Sequence, residues 1–504
     1  MPLMRWLLLA VALLSAAFGL YRLASATAGL TITRADVSGT PVTVFSDGGD
    51  PAPVVVIAHG FAGSQQLMQP FAMTLARSGY VAVTYDLLGH GRNGLALTGD
   101  VTRVEGATAN LVAELDRVVT FARALPGSDG RVALLGHSMA TDVIVRHAAA
   151  HPEVAATVAV SMFSPAVTAS APKNLLVIVG QFEPGLRAEA MRTLALSAGS
   201  DAREGETHGD PSQGTARRVA IADRVEHVGV LYNGASLSEA RDWLNFVFGR
   251  TEHGAVDRRG LSFLLFFGGL MVVAWIASAG LPRVAVQPSG LGAGWRLLVP
   301  LGLAPALITP LLLWKAPTDF LPVPVGDYLA AHFLVYGLLT TVGLAVIRRR
   351  MPAAPSGLAW GRALTATVAA TLFCLVAIYL PLDLFVTSFA LNGARVPLVA
   401  AMVVGLLPYF LADEWLTRGV AAPRGAYMYT KLCFLLSLAI AIALNLPELF
   451  FLIIIVPVIL VFFVVFGLIS SWIYRQTWHP AVGAVTNALL FAWAIAVTFP
   501  VLGL

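Results

Sequence analysis

Apolar and polar positions divide the chain into two stretches with different periods. From about Leu30 to His253 short apolar runs alternate with amphipathic stretches and turn residues, whereas nearly everything after Gly260 is apolar over membrane-spanning lengths. In the first stretch, Val54-Val55-Val56-Ile57-Ala58 is a run of the kind found in strands buried on both faces. His59-Gly60-Phe61 follows it, then a helical pattern from Gln65 to Arg77. Tyr80 to Tyr85 repeats the strand signal, and Ala107 to Leu125 reads as a helix. Arg131 to Leu135 is a strand running into Gly136-His137-Ser138-Met139-Ala140, which opens a helix ending near His151. Val154 to Val160, Asn174 to Val179 and Arg217 to Ile221 extend the strands, the polar segment Glu204 to Gln213 reads as a flexible loop, and Ser236 to Phe248 reads as a helix. Strands alternating with helices predict a mostly parallel sheet with helices on both faces.

In the second stretch, apolar segments near 261–281, 295–314, 327–347, 360–381, 396–412, 431–446, 449–473 and 482–502 each approach the length needed to cross the hydrocarbon core. They predict an all-α transmembrane bundle of about eight helices over residues 261–504. Met4 to Leu20 adds an apolar run at the start, with the small-residue pattern Ala24-Ser25-Ala26 beyond it. Arg22 lies between the two, where signal peptides avoid charge, so residues 1–29 read as an anchor in preference to a cleaved signal peptide. With the N-terminus cytoplasmic, Arg283, Arg296, Arg348-Arg349-Arg350, Arg362, Arg418, Arg424, Lys431 and Arg475 share the cytoplasmic side, against Lys315 and Arg395 on the other. The globular domain, residues 30–253, is then expected outside the cytoplasm, with Arg258 and Arg259 as the exceptions to the pattern. Asp327, Asp383, Arg395, Asp413, Glu414 and Glu448, near the span ends, are expected to snorkel to the interface.

Composition narrows the function. With 57% hydrophobic and only 12% charged residues in 504, a wholly soluble enzyme is excluded. The net charge of +4 comes without any Lys/Arg-dense block, so no nucleic-acid partner is expected. Cys374 and Cys433, the two cysteines, both sit in apolar runs and offer neither a disulfide framework nor a cysteine-based zinc spacing.

The segment around Ser138 resembles the nucleophile elbow of the α/β-hydrolase superfamily, G-x-S-x-G, with Ala140 in place of the last glycine. Small neighbours are needed there because a strained turn lifts the hydroxyl clear of the sheet and brings backbones close. His59-Gly60-Phe61 resembles the superfamily's oxyanion turn, and Tyr85-Asp86-Leu87-Leu88-Gly89-His90-Gly91 its strand-four turn. The resemblance implies an α/β-hydrolase fold, Ser138 as nucleophile and the backbone amides of Phe61 and Met139 as oxyanion hole. It places the acid after the next-but-one strand, at Glu183 in Gln181-Phe182-Glu183-Pro184, with Asp223 and Glu226 as alternatives and Asp142 on the elbow helix, pointing elsewhere. It places the histidine after the last strand, at His227, with His208 as the alternative; Asp86, His90, His59 and His137 shape turns.

The same resemblance implies no cofactor or metal and a serine hydrolase acting on an ester, thioester or amide. The early motifs are also similar to those of dienelactone-hydrolase-like and prolyl-oligopeptidase-like relatives, which leaves a peptidase open. Only Pro165 to Asn174 separates two of the strands, too little for a helical lid, so the site is expected to be open and held near the bilayer. A small-molecule or lipid-like acyl substrate and membrane lipids are the expected partners. The rival readings are a transport or assembly protein with an inert hydrolase-like sensor, and a lipid acyltransferase. Oligomeric state is not legible.

Overall fold

The structure is a computed structural model that describes residues 2–101, 103–292, 294–349 and 357–503; Arg350 lies outside the described residues. The chain divides into two compact units. One comprises Phe18–Leu264 together with two short segments from much later in the chain, Leu382–Ala390 and Pro500–Leu504. The other comprises Met1–Ala17, Leu265–Pro381 and Leu391–Phe499.

Among its described residues the first unit is built on nine strands: β1 (Thr31–Val37), β2 (Thr40–Ser46), β3 (Ala52–Ala58), β4 (Val81–Tyr85), β5 (Ser128–His137), β6 (Val154–Val160), β7 (Leu175–Gly180), β8 (Thr207–His208) and β9 (Arg217–Ala222). Their order in the sheet is β1-β2-β4-β3-β5-β6-β7-β9-β8. The run from β4 to β9 is parallel, while β1, β2 and β8 pair antiparallel with their neighbours. All the parallel strands therefore end at one edge, where the residues after β3, β5, β6, β7 and β9 converge.

Alternation along the central strands explains the two covered faces. Val55 and Ile57 enter a core with helices α2 (Gln69–Ala76) and α6 (Gly234–Phe248), and Val54, Val56 and Ala58 enter another with α3 (Ala109–Arg123) and α4 (Met139–Ala150). Helix α5 (Pro184–Ala198) closes a third core, setting Ala190 and Leu194 against Val177, Val179 and Val219.

The structure departs from the sequence reading at the first two strands, β1 and β2, at α5 and at the segment Glu204 to Gln213. Strand β1 carries no apolar alternation because it is an edge strand exposed along most of its length. Helix α5 was not expected after Glu183; it buries only Ala190, Thr193 and Leu194 and so shows little apolar stripe. The segment Glu204 to Gln213, read as a flexible loop, is ordered by β8 pairing with β9 and by a short 3-10 turn, Pro211–Gln213, in which Asp210 accepts from the Ser212 amide at 2.8 Å.

The two late segments are fastened into this unit by hydrogen bonds. The Ser388 amide donates to Ser64 Oγ (2.9 Å), Gln66 Nε2 donates to the Asp383 carbonyl (3.1 Å), and Arg92 pairs with Asp383 at 2.5 Å. The Val501 amide donates to the Gly89 carbonyl at 2.9 Å.

The second unit is helical. Its described residues contribute to α1 (Pro2–Ala24), α7 (Gly260–Ala277), α8 (Trp295–Leu313), α9 (Gly326–Arg348), α10 (Trp360–Cys374), α11 (Leu380–Phe385), α12 (Arg395–Thr417), α13 (Ala426–Leu444), α14 (Leu446–Leu449), α15 (Leu452–Thr477) and α16 (Pro480–Thr498). Among the described residues nine helices are long and apolar enough to cross a membrane, as a multi-pass membrane protein requires. Helices α9 and α12 approach closely where side chains are absent: a methyl on Gly337 would strike the Tyr409 backbone, and one on Gly405 the Ala330 carbonyl.

Charges near the span ends of this unit are not all turned outward, which corrects the snorkelling expectation. Asp413 and Lys431 are buried and paired at 2.5 Å, and Glu414 is buried against Arg418 at 2.7 Å. Arg395 is fully buried and donates to the carbonyls of Ala496 and Phe499. Lys431 and Arg418 are therefore internal ion partners and carry little weight as loop markers of orientation. Arg259 in the first unit is likewise buried against Asp257 at 2.6 Å, so it is weaker counter-evidence than its sequence position suggests.

Candidate active site

At the end of β5 the chain turns through Ser138, whose φ of 54° and ψ of −123° lie in a region that costs a non-glycine residue about 1–3 kcal/mol. The surroundings hold it there. The Ser138 amide donates to the Val160 carbonyl (2.9 Å), and Thr141 donates to the Ser138 carbonyl from its amide (2.8 Å) and its hydroxyl (2.6 Å). Gly60 is the residue that lets the β3 loop close on this turn, since a Cβ there would stand 2.9 Å from Ser138 Cβ and 3.0 Å from the His137 carbonyl. Ala140, which departs from the motif's glycine, is fully buried in the core under α4.

The three side chains expected to act together are in one hydrogen-bonded line. Ser138 Oγ lies 2.8 Å from His227 Nε2, and His227 Nδ1 lies 2.6 Å from Glu183 Oε1. Serine and histidine are partly exposed, while Glu183 is buried. The carboxylate sits at the N-terminus of α5, where Pro184 starts the helix without needing an amide partner. Its other oxygen, Oε2, accepts from the Gly180 amide and from Ser161 Oγ, both at 2.7 Å. A Cβ at Gly180 would fall 3.0 Å from Glu183 Oε2 and 2.7 Å from the Val225 carbonyl, so that close approach needs glycine.

Ser161 is the residue of this hydrogen-bonded cluster that sequence reasoning missed. It follows β6, is buried, and adopts a φ of 52°. No motif marks it; only its place after a strand ending at the site edge could have drawn attention.

His227 lies in a loop that Glu226 stiffens by accepting from the amides of Val228 (2.7 Å) and Gly229 (2.8 Å). That use of Glu226, and the exposed position of Asp223, leave Glu183 as the carboxylate on the histidine. His208 sits on the edge strand β8 and is outside the line. Asp142 pairs with Arg146 (2.7 Å) and accepts from Ser164 Oγ (2.7 Å).

His137, His59 and His90 shape the turns. His137 Nε2 donates to the His227 carbonyl at 2.9 Å, and burial, with His227 nearby, holds its pKa well below the ordinary value. His59 Nε2 accepts from the Leu87 amide (3.1 Å), which leaves Nδ1 to donate to the Gly60 carbonyl (2.8 Å). Burial lowers the His59 pKa as well, in keeping with an acceptor nitrogen. Asp86 accepts from the Gln65 amide, Gln65 Nε2 and the Arg92 amide and fixes the loop after β4; His90 Nδ1 meets the Leu88 carbonyl at 2.9 Å. Phe61 follows β3 and Met139 opens α4, so both backbones lie at the same sheet edge as Ser138.

Two exposed aromatics also follow strands at this edge: Phe163 (63% exposed) after β6 and Phe182 (62%) after β7.

A mostly parallel sheet with a strained serine turn after β5 and a buried glutamate and a histidine after β7 and β9 is the α/β-hydrolase fold, here in one chain with an all-α unit. Residues 49–220 match the family described as serine aminopeptidase, S33, so family and fold both support a hydrolase. Comparison with curated proteins gives no match. Among solved structures, a dienelactone hydrolase from Anabaena variabilis is 20% identical, the match covering 43% of this chain and 97% of that chain at a TM-score of 0.33. A Thermus thermophilus protein is 17% identical over 44% of this chain and 99% of that chain, also at a TM-score of 0.33.

Proposed function

We propose that the protein is a membrane-bound serine hydrolase that cleaves a carboxylic ester through a Ser138 acyl-enzyme. The observation that carries the reading is the unbroken line from Ser138 Oγ through His227 to Glu183. As Oγ attacks the acyl carbon, His227 Nε2 takes its proton, and Glu183 stabilises the imidazolium and fixes the ring. The backbone amides of Phe61 and Met139 face the developing oxyanion, where such donors are worth several kcal/mol of barrier. His227 then returns the proton to the leaving alcohol, and water attacks the acyl-serine by the same route in reverse.

The exposed Phe163 and Phe182 at the site edge, and the short Pro165–Asn174 connection, suit a small or lipid-like acyl substrate approached from an apolar surface. The family's description makes an aminoacyl amide the second substrate class to test. A fluorophosphonate probe should label the full-length protein, and Ser138→Ala should abolish both labelling and ester hydrolysis. Labelling that survives in this variant would overturn the reading.

The hydrolase unit is read as lying outside the cytoplasm, from the loop arginines and the anchor at Met4 to Leu20. The segments Leu382–Ala390 and Pro500–Leu504 belong to the hydrolase unit and are each reached after four further candidate spans, an even number, which supports all eight later helices crossing. A reporter active only outside the cytoplasm, inserted near Gly249, should be active. Cytoplasmic activity there would reverse the topology.

A further inference from the structure

Helix α4 begins at the nucleophile and ends in His147-Ala148-Ala149-Ala150-His151, about 18 Å away by helix rise. A spacing of four puts both imidazoles on one face, and their rings stack with centroids 4.2 Å apart. Asp116, on the neighbouring α3, points a carboxylate at the pair. Its Oδ1 is 3.4 Å from His147 Nε2 and 3.7 Å from His151 Nε2, and one ligand atom from each of the three residues falls within 4.8 Å of the others.

These separations are long for N–H···O hydrogen bonds, which cluster at about 2.7–3.2 Å. They are close to the roughly 3.3 Å that separates neighbouring ligands held about 2.0–2.1 Å from a tetrahedral zinc. His151 stands at the partly exposed end of the helix, free of the burial that holds His147, and its ring must turn out of the stack for its in-plane Nε2 lone pair to converge with that of His147. Behind it, Glu153 Oε1 lies 3.2 Å from His151 Nδ1, the position of the carboxylate that orients a metal-bound histidine. The C-terminal end of α4 adds the partial negative charge of its unpaired carbonyls.

We propose that Asp116 Oδ1, His147 Nε2 and His151 Nε2 form a binding site for a divalent transition metal of the zinc class, with water completing the coordination. Such an ion would clip α3 to α4, the helix whose other end carries Ser138. The site lacks the glutamate that makes a paired-histidine helix a metallohydrolase, since alanines fill the three positions between the histidines. Its role is therefore structural.

The test uses full-length protein stripped with a chelator and titrated with Co²⁺, whose visible bands report nitrogen and oxygen ligation, and with Zn²⁺ by calorimetry. One equivalent should bind with micromolar affinity. Asp116→Asn and His151→Ala alter partly exposed side chains, which keeps the fold intact, and each should weaken binding at least tenfold. His227→Ala should leave binding unchanged. Failure to bind at millimolar metal, affinity unaffected by both cluster variants, or affinity lost in His227→Ala would each overturn the proposal.

Discussion

Removing the Ser161 hydroxyl tests how the acid of the site is held. Glu183 Oε2 accepts two hydrogen bonds, from Ser161 Oγ and the Gly180 amide, each at 2.7 Å, while Oε1 faces His227. A hydrogen bond to an ionised group contributes about 1.5–3 kcal/mol, and Ser161→Ala removes one of the two that fix the carboxylate's plane. If half to all of that is felt in the transition state, about 1.4 kcal/mol per tenfold gives a fall in turnover of about fourfold to a hundredfold. The loss should appear in kcat, with KM for a small chromogenic ester unchanged, because Ser161 is buried and reaches substrate only through Glu183 and His227. Fluorophosphonate labelling should slow by a similar factor. Ser161→Gly separates the hydroxyl from the backbone: glycine accepts the φ of 52° without strain, so it should lose the same rate as alanine while folding at least as well. Parent-like labelling in both variants would refute the argument and leave the Gly180 amide as the sole support of the acid.

Two further outcomes are expected. His227→Ala should lower turnover about a thousandfold or more, since a triad acts as a unit, whereas His208→Ala on the edge strand should stay close to the parent; the reverse pattern in steady-state kinetics would move the base. Burial lifts the Glu114 pKa from 4.5 to about 7, despite hydrogen bonds from the Leu88 amide, Thr40 and Asn93. The folded chain thus binds this proton more tightly than the unfolded one, and its contribution to stability falls as pH rises from about 4.5 through about 7. Glu114→Gln should flatten that decline, and thermal unfolding followed between about pH 5 and pH 8 checks it; equal slopes in the two proteins would show that Glu114 is already charged.

The line of Ser138, Glu183 and His227 was legible because each residue follows a strand that reads as an apolar run, and strand ends fix their spatial order. Ser161 follows such a strand too, yet its role depends on a backbone turned to positive φ and on a carboxylate 22 residues away, neither of which has a local signature. Strand β1 escaped because an exposed edge strand has no reason to alternate. The pairing of Asp413 with Lys431 escaped for another reason: each residue lies near a span end, where snorkelling is the default, and only helix packing decides that they turn inward. The Asp116, His147 and His151 cluster was half visible in the spacing of its histidines, but its third member comes from another helix.

The fastening of Leu382–Ala390 into the hydrolase unit also sets a clock. A ribosome finishing Leu264 has made Ser138, Glu183 and His227 but still has nearly 120 residues, most of them in apolar helices, to add before Asp383 exists to meet Arg92. At about 5–20 residues per second that interval is roughly 6–24 s. During it Ser64 and Gln66, just beyond His59-Gly60-Phe61, lack the partners that later hold them. Completion of this unit's hydrogen bonding is therefore scheduled by the making of the apolar helices, and a chain stalled between the two would carry Ser138, Glu183 and His227 without the contacts that Leu382–Ala390 brings.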